Sequence, residues 1–248
     1  MSTEIQTYSK ELRLPGIRAN YQDVAESCRE EDLSYEEFLL ELLRIEHTGR
    51  KQRRIERYLH QSGLPREKTM ETFDLARLDS STRSTVQTLQ RGGFLQRCEN
   101  ILAFGIPGSG KTHLLCGLGH ELIRQGHRIL YSPCSLLVQR LLQAKEQLKL
   151  EKELKKLSRF KAVIIDDIGY VQQSRQEMEV LFTLFAHRYE TGSIMISSNL
   201  NFSKWEQIFK DPMTTAAAID RLVHHSVILE LNLESYRMQE AKERGTHV

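Results

Sequence analysis

The run Gly105-Ile106-Pro107-Gly108-Ser109-Gly110-Lys111-Thr112 has the spacing G-x-x-x-x-G-K-[ST]. In that spacing successive backbone N–H groups converge on an anion, and the lysine reaches the β- and γ-phosphates of a nucleoside triphosphate. The short apolar run Asn100-Ile101-Leu102-Ala103-Phe104 precedes the loop, and His113-Leu114-Leu115-Cys116-Gly117-Leu118 follows it as the start of a helix. Strand, glycine loop and helix in that order aim a helix N-terminus at the same point, where its dipole favours negative charge. A chance glycine turn has no such context. The candidate nucleotide-binding residues are therefore Gly105, Pro107, Gly108, Ser109, Gly110, Lys111, Thr112 and His113, with the Thr112 hydroxyl a ligand for Mg²⁺. The nucleotide is ATP or GTP on this spacing alone.

Two strand ends carry further chemistry. Ala162-Val163-Ile164-Ile165-Asp166-Asp167 is four apolar residues closed by two acids. That is how a buried parallel strand reads, and ligands of open α/β sheets bind at such carboxyl ends. Asp166 is placed to hold Mg²⁺, directly or through water, and Asp167 to orient and deprotonate the water that attacks the γ-phosphate. An exposed acidic turn is the bland alternative. Ser193-Ile194-Met195-Ile196-Ser197-Ser198-Asn199 ends in an amide, either a γ-phosphate and water sensor or a turn-former. Arg221 precedes the last apolar run and Arg237 opens the final helical stretch. Either could neutralise γ-phosphate charge, in its own subunit or a neighbouring one, and either could be a surface ion-pair partner. Lys111, Asp167, Asn199, Arg221 and Arg237 are the candidate catalytic residues.

A basic stripe is a candidate DNA contact. Leu141 to Arg159 reads as one helix, on which Lys145, Lys149, Lys152, Lys156 and Arg159 recur at spacings of four and three. At 100° per residue they form a stripe about 80° wide, able to follow a phosphate backbone without reading sequence. A solvated helix face is the competing reading. The Arg50-Lys51-Gln52-Arg53-Arg54 cluster is a second basic candidate, without the interleaved aromatics that stacking on single strands requires.

The elements that must position these groups follow from periodicity. Apolar runs at 100–104, 128–132, 162–166, 193–198 and 226–231 alternate with helical stretches long enough for right-handed parallel crossovers. Upstream, Ser34-Tyr35-Glu36-Glu37 is a capping box, and a long helix should run from about Tyr35 to Gln61. It is apolar at first, through Phe38, Leu39, Leu42, Leu43 and Ile45, and basic from Arg50 to Arg57. Short helices around Pro15-Gly16 should pack on its apolar half. Leu75 to Asp79 looks extended and Ser81 to Gly92 helical. Three regions result: a helical interaction domain over 1–65, a connecting segment over 66–99, and a nucleotide-binding domain over 100–248.

The 248 residues leave room for one such domain and a small companion. The net charge of +2 conceals an imbalance: residues 1–80 carry 13 Lys and Arg against 16 Asp and Glu, while 81–248 carry 22 against 17. Surplus positive charge on the nucleotide-binding part suits a nucleic-acid partner. Four dispersed cysteines without metal spacing read as reduced thiols. No apolar stretch reaches the roughly 18–20 residues of a membrane span, and Met1 to Arg13 lacks a secretory pattern. A cytoplasmic protein with no membrane partner is expected.

Taken together, the segments resemble the AAA+ ATPases, and within them the ATPase helper subunit of IS21-type transposition, the IstB family, close kin of DnaC-like helicase loaders. The resemblance runs through Gly105 to His113, Asp166-Asp167-Ile168-Gly169-Tyr170, Ser198-Asn199-Leu200, Phe202-Ser203-Lys204-Trp205, Asp220-Arg221-Leu222-Val223-His224-His225 and Glu234-Ser235-Tyr236-Arg237. It extends to Leu12-Arg13-Leu14-Pro15-Gly16, Leu33 to Leu39 and Thr72-Phe73-Asp74, nearly the whole chain. It implies an α/β AAA+ P-loop domain with a central parallel five-stranded sheet, preceded by a small all-helical domain. It implies ATP with Mg²⁺, Asn199 as sensor 1, Arg237 as sensor 2, and Arg221 as an arginine finger acting in trans within a homo-oligomer. It also implies assembly on duplex DNA and cooperation with a cognate transposase, with replicative helicase loading as the alternative. Many AAA+ proteins have Glu at the position of Asp167. The shorter acid implies slow turnover, since a misplacement of about 1 Å can cost about a hundredfold in rate. A non-hydrolysing scaffold stays open on that ground. A small-molecule kinase fits poorly, because its loop would lie near the chain start with a second substrate pocket behind it.

Overall fold

Ser34 and Glu37 cap their helix reciprocally, as their spacing predicts. The Glu37 N–H donates to Ser34 Oγ at 3.3 Å, and the Ser34 N–H donates to Glu37 Oε2 at 2.9 Å. This belongs to a computed structural model that describes residues 2–169, 174–200, 205, 219–220, 222–233 and 235–236. The chain forms two compact units, residues 1–57 and 58–248.

The smaller unit contains α1 (Ser2–Glu11), α2 (Pro15–Glu30) and the first part of α3 (Tyr35–Ser62). Its buried stripe on α3 is narrower than the apolar half of the sequence suggests. Leu42 and Glu46 are buried and Phe38 and Ile45 half-buried, while Leu39, Leu40 and Leu43 are exposed. Glu46 does the work of a cap that α2 lacks, since Leu14 offers no side-chain acceptor. Its Oε2 accepts from the N–H groups of Gly16 at 2.6 Å and Ile17 at 3.3 Å. Its Oε1 accepts from Arg50 at 2.8 Å and Arg53 at 3.3 Å. Those two arginines, part of the second basic candidate for DNA contact, are thereby engaged inside the unit.

In the larger unit α4 (Ser80–Gln90) and the strands β1 (Asn100–Phe104), β2 (Ile129–Pro133), β3 (Ala162–Ile168), β4 (Ser193–Ser198) and β5 (Ser226–Glu230) follow the expected order. The sheet runs β2-β3-β4-β1-β5, every neighbouring pair parallel. Central strands β1 and β4 are buried along their whole length, so both faces must be covered. Leu102, Val163, Ile165, Ile194 and Ile196 point to a core shared with α6 (Cys134–Glu146), α7 (Leu150–Leu157) and α8 (Arg175–Arg188). The alternate positions face the other way, where α5 (Lys111–Arg124) lies against β1, β2, β3 and β4.

Three expectations are corrected here. Residues 66–99 belong to the larger unit rather than connecting two domains, because Met70, Leu78, Val86, Leu89, Phe94 and Leu95 are buried in it. A Cβ on Gly117 of α5 would lie 2.7 Å from Met70 Sδ, so this segment lies directly on that helix. Within it Leu75–Arg77 is one turn of 3₁₀-helix capped by Asp74, not an extended stretch. The single helix expected over 141–159 is also two helices. Leu148, 96% exposed, adopts a left-handed φ of 55° between α6 and α7.

Arg188 holds the entry side of the sheet. Only 2% exposed, it donates to the carbonyls of Leu157 at 3.0 Å, Phe160 and Lys161 at 3.1 Å, and Ser193 at 2.9 Å. Burial pushes its pKa down to about 10. Arg188→Leu would leave buried acceptors without donors, and each such group costs about 1–3 kcal/mol. The expected loss is about 3 kcal/mol or more, read as a lower urea midpoint at unchanged m-value. A loss under about 0.5 kcal/mol would show the carbonyls to be satisfied another way.

Candidate nucleotide site

The carboxyl ends of β1, β3 and β4 meet at one edge, and the predicted loop, acids and amide meet there with them. Gly105 to Gly110 links β1 to α5. Gly108 has φ 83°, and a Cβ on it would lie 2.1 Å from Ser235 Oγ. Gly110, at the N-cap of α5, has φ 93°, and its Cβ would meet the Phe73 ring at 3.0 Å. Neither position admits a side chain. Lys111 is buried, with Nζ donating to the carbonyls of Gly105 at 2.8 Å and Ile106 at 2.9 Å. Ser109 Oγ is buried with no hydrogen-bond partner among the described residues.

The two acids are separated by a bulge. Ile165 is paired with Ile196 and Ile168 with Ser198, so Asp166 and Asp167 together oppose Ser197. The extra residue sends the side chains apart: Asp166 is buried and Asp167, with a left-handed φ of 57°, is exposed. Asp166 Oδ1 accepts from Thr112 Oγ1 at 2.8 Å and from Ser197 Oγ at 2.5 Å. Its Oδ2 accepts from the Tyr131 hydroxyl at 2.8 Å. Burial, reinforced by the charge of Asp166, raises the Tyr131 pKa, so the phenol keeps its proton. The pair Thr112 and Asp166 supplies oxygen donors of the kind that suit Mg²⁺, so the residues present fit that ion.

A cavity of about 460 Å³ opens over the loop. It is lined by Pro107, Gly108, Gly110, Lys111, Thr112, His113, Asp167 and Asn199, whereas Gly105, Ser109 and Asp166 do not line it. The remaining wall comes from residues the sequence did not single out for chemistry: Lys68, Thr72, Phe73, Asp74, Arg77 and Tyr236. The Phe73 ring meets His113 edge-on at 5.4 Å between centroids, and Arg77 lies 5.5 Å from the Tyr236 ring centroid. Thr72-Phe73-Asp74 was legible as a family segment, but nothing in its pattern tied it to the loop. The volume lies within the roughly 300–1,000 Å³ usual for small-molecule sites.

The profile of the IstB-like ATP-binding protein family matches residues 7–244, and so spans both compact units. This chain belongs to that family. An ATP-binding protein of insertion sequence IS21 from Pseudomonas aeruginosa is 37% identical over 98% of this chain and 91% of its own length. An insertion-sequence ATP-binding protein of Sinorhizobium fredii is 41% identical over 96% of this chain and 80% of its own. Among solved structures, the DnaC helicase loader shares the fold with a TM-score of 0.57 at 18% identity, covering 70% of this chain and 98% of its own.

Other predicted residues of this family member are distributed differently. Arg221 and Arg237 lie outside the described residues. Of the basic stripe, Lys149, Lys152 and Lys156 line a hollow of about 370 Å³ together with Arg140 and Glu153. Lys145, at the end of α6, instead pairs with Glu179 at 2.7 Å. Neither it nor Arg159 lines the hollow: Lys145 lies on α6, before the break at Leu148, and Arg159 lies past the end of α7. The buried Glu153 accepts from Arg140 and Lys156, tying α6 to α7. Among the described residues no group of three His, Cys, Asp or Glu could hold a metal, and no helix is long and apolar enough to cross a membrane.

His113 links the loop to its wall, with Nε2 at 3.0 Å from both Thr69 O and Thr72 Oγ1. Burial lowers its pKa, and burial also lowers that of His127. As pH falls below about 6.5 the unfolded chain therefore binds protons before the folded one, and stability drops. Thermal melts between pH 7.5 and 5.5 should show a falling Tm, with a shallower slope in His113→Gln. A Tm that holds or rises over this window would contradict the assignment.

Proposed function

We propose that this ATP-binding protein is the regulatory ATPase helper of IS21-type transposition, assembling as a homo-oligomer on duplex DNA in the cytoplasm and cooperating with its transposase. The observation that carries this reading is the extent of the family match, which includes the helical N-terminal unit as well as the nucleotide-binding unit. The helicase-loader likeness is confined to 70% of the chain and speaks to fold only.

In this reading the N–H groups of the loop and Lys111 bind the phosphates of ATP, while Phe73 and Tyr236 enclose the remainder of the nucleotide. Thr112 and Asp166 hold Mg²⁺, which when bound supplies Lewis-acid neutralisation of phosphate charge. Asp167, on the exposed side of the bulge, accepts a proton from the attacking water, and Asn199 orients that water. Arg237 and a neighbouring subunit's copy of Arg221 are assigned to the γ-phosphate by family resemblance alone. The hollow of Lys149, Lys152, Lys156 and Arg140 engages backbone phosphates, with Lys145 and Arg159 flanking it. The N-terminal unit is assigned to the transposase.

Two measurements test this. Sizing on duplex and single-stranded DNA, with and without ATP, should give ATP-dependent assembly on random duplex; preference for single strands alone would favour helicase loading. Replacing Lys149, Lys152 and Lys156 by Glu should abolish that assembly and leave ATP binding intact. Separately, Lys111→Ala should lose ATP binding, and Asp167→Asn should bind ATP normally with turnover reduced about a hundredfold or more. Equal turnover in Asp167→Asn and wild type, even with DNA, would mean that ATP serves only as an assembly ligand.

A further inference from the structure

Asp166 is a buried carboxylate, and its two oxygens offer about four acceptor positions. Thr112, Ser197 and Tyr131 fill three of them from three different elements: α5, β4 and β2. Thr112 belongs to the phosphate loop motif. Ser197 and Tyr131 do not, and neither lines the cavity over the loop.

Ser197 has a second connection. Its Oγ donates its one proton to Asp166 and accepts the Asp167 N–H at 2.8 Å. One hydroxyl therefore spans the bulge, holding the side chain of the first acid and the backbone of the second. The Asp167 N–H, released from regular sheet pairing by the bulge, has this oxygen as its acceptor. Because the left-handed φ of Asp167 costs about 1 kcal/mol or more, such a bond is what keeps that residue turned toward the cavity.

We propose that Ser197 and Tyr131 are positioning residues for the nucleotide-bound metal: together they lock the Asp166 carboxylate in the orientation that turns Oδ1 toward Thr112 of the phosphate loop. Tyr131 pins Oδ2 from the β2 side, and Ser197 pins Oδ1 from the β4 side while setting the turn at Asp167. Neither touches the nucleotide. Their effect appears in how tightly Mg²⁺ is held with ATP, not in how ATP alone is held. The proposal rests on the assignment of Asp166 and Thr112 to the metal.

The test is a titration of a fluorescent ATP analogue into full-length wild type, Tyr131→Phe and Ser197→Ala, in EDTA and across a range of Mg²⁺ concentrations. Outer-shell partners of this kind change metal affinity by about 10–100-fold. Tyr131→Phe and Ser197→Ala should each raise the half-saturating Mg²⁺ about tenfold, with affinity in EDTA within twofold of wild type. Hydrogen exchange without nucleotide supplies a metal-independent readout: the Asp167 amide should exchange faster in Ser197→Ala and as in wild type in Tyr131→Phe. An unchanged Mg²⁺ requirement in Tyr131→Phe, or a parallel loss of affinity in EDTA, overturns the proposal, and Tyr131→Phe decides it alone if Ser197→Ala does not fold. Wild type whose nucleotide binding ignores Mg²⁺ would instead overturn the metal assignment on which it rests.

Discussion

Because β1, β4 and β3 lie side by side and parallel, their carboxyl ends arrive at one edge of the sheet. A phosphate loop, an acid pair and an amide from distant parts of the chain meet there. Thr112 and Asp166 are 54 residues apart, yet their side chains are hydrogen-bonded. Parallel pairing also demands that both sheet faces be covered. Hence α5 lies on one face and α6, α7 and α8 on the other, and the site is left at the rim where backbone groups are still available.

Burying polar groups at that rim has a cost that the structure offsets locally. Asp166 sits among three hydroxyl donors, and Arg188, at the opposite end of the same strands, sits among four carbonyls. In each case one side chain gathers groups from several elements and fixes their relative position. A buried polar group of this kind is stabilising only while every partner is in place. The same logic operates in the N-terminal unit, where Glu46 joins the start of α2 to Arg50 and Arg53.

The features legible in the sequence were those with a local signature. The strands showed as apolar runs of the right length, and the loop showed through glycines whose φ values no other residue tolerates. The break at Leu148 was invisible because Leu141 to Arg159 contains neither glycine nor proline and, apart from Ser158, only good helix formers. Tertiary packing decided it, by requiring Leu137 and Leu141 on α6 and Leu154 and Leu157 on α7 to reach the same core. The bulge in β3 was likewise hidden, since two consecutive acids fit a regular strand end equally well. The cavity wall from Lys68 to Arg77 was missed for another reason. Its contacts, such as Thr72 to His113 across 41 residues, join segments whose pairing leaves no periodic trace.

The segment after β5 runs back over the phosphate loop. The Leu231 N–H donates to Phe104 O at 2.7 Å, and the Tyr236 N–H donates to Gly108 O at 3.1 Å. With Ser235 Oγ occupying the space of a missing Cβ at Gly108, the loop and the chain's last third share one van der Waals surface. Positions 108 and 235 are consequently coupled through their packing. A larger side chain at 235 would press on the backbone of Gly108, so the shape of the phosphate loop depends on a serine 127 positions downstream.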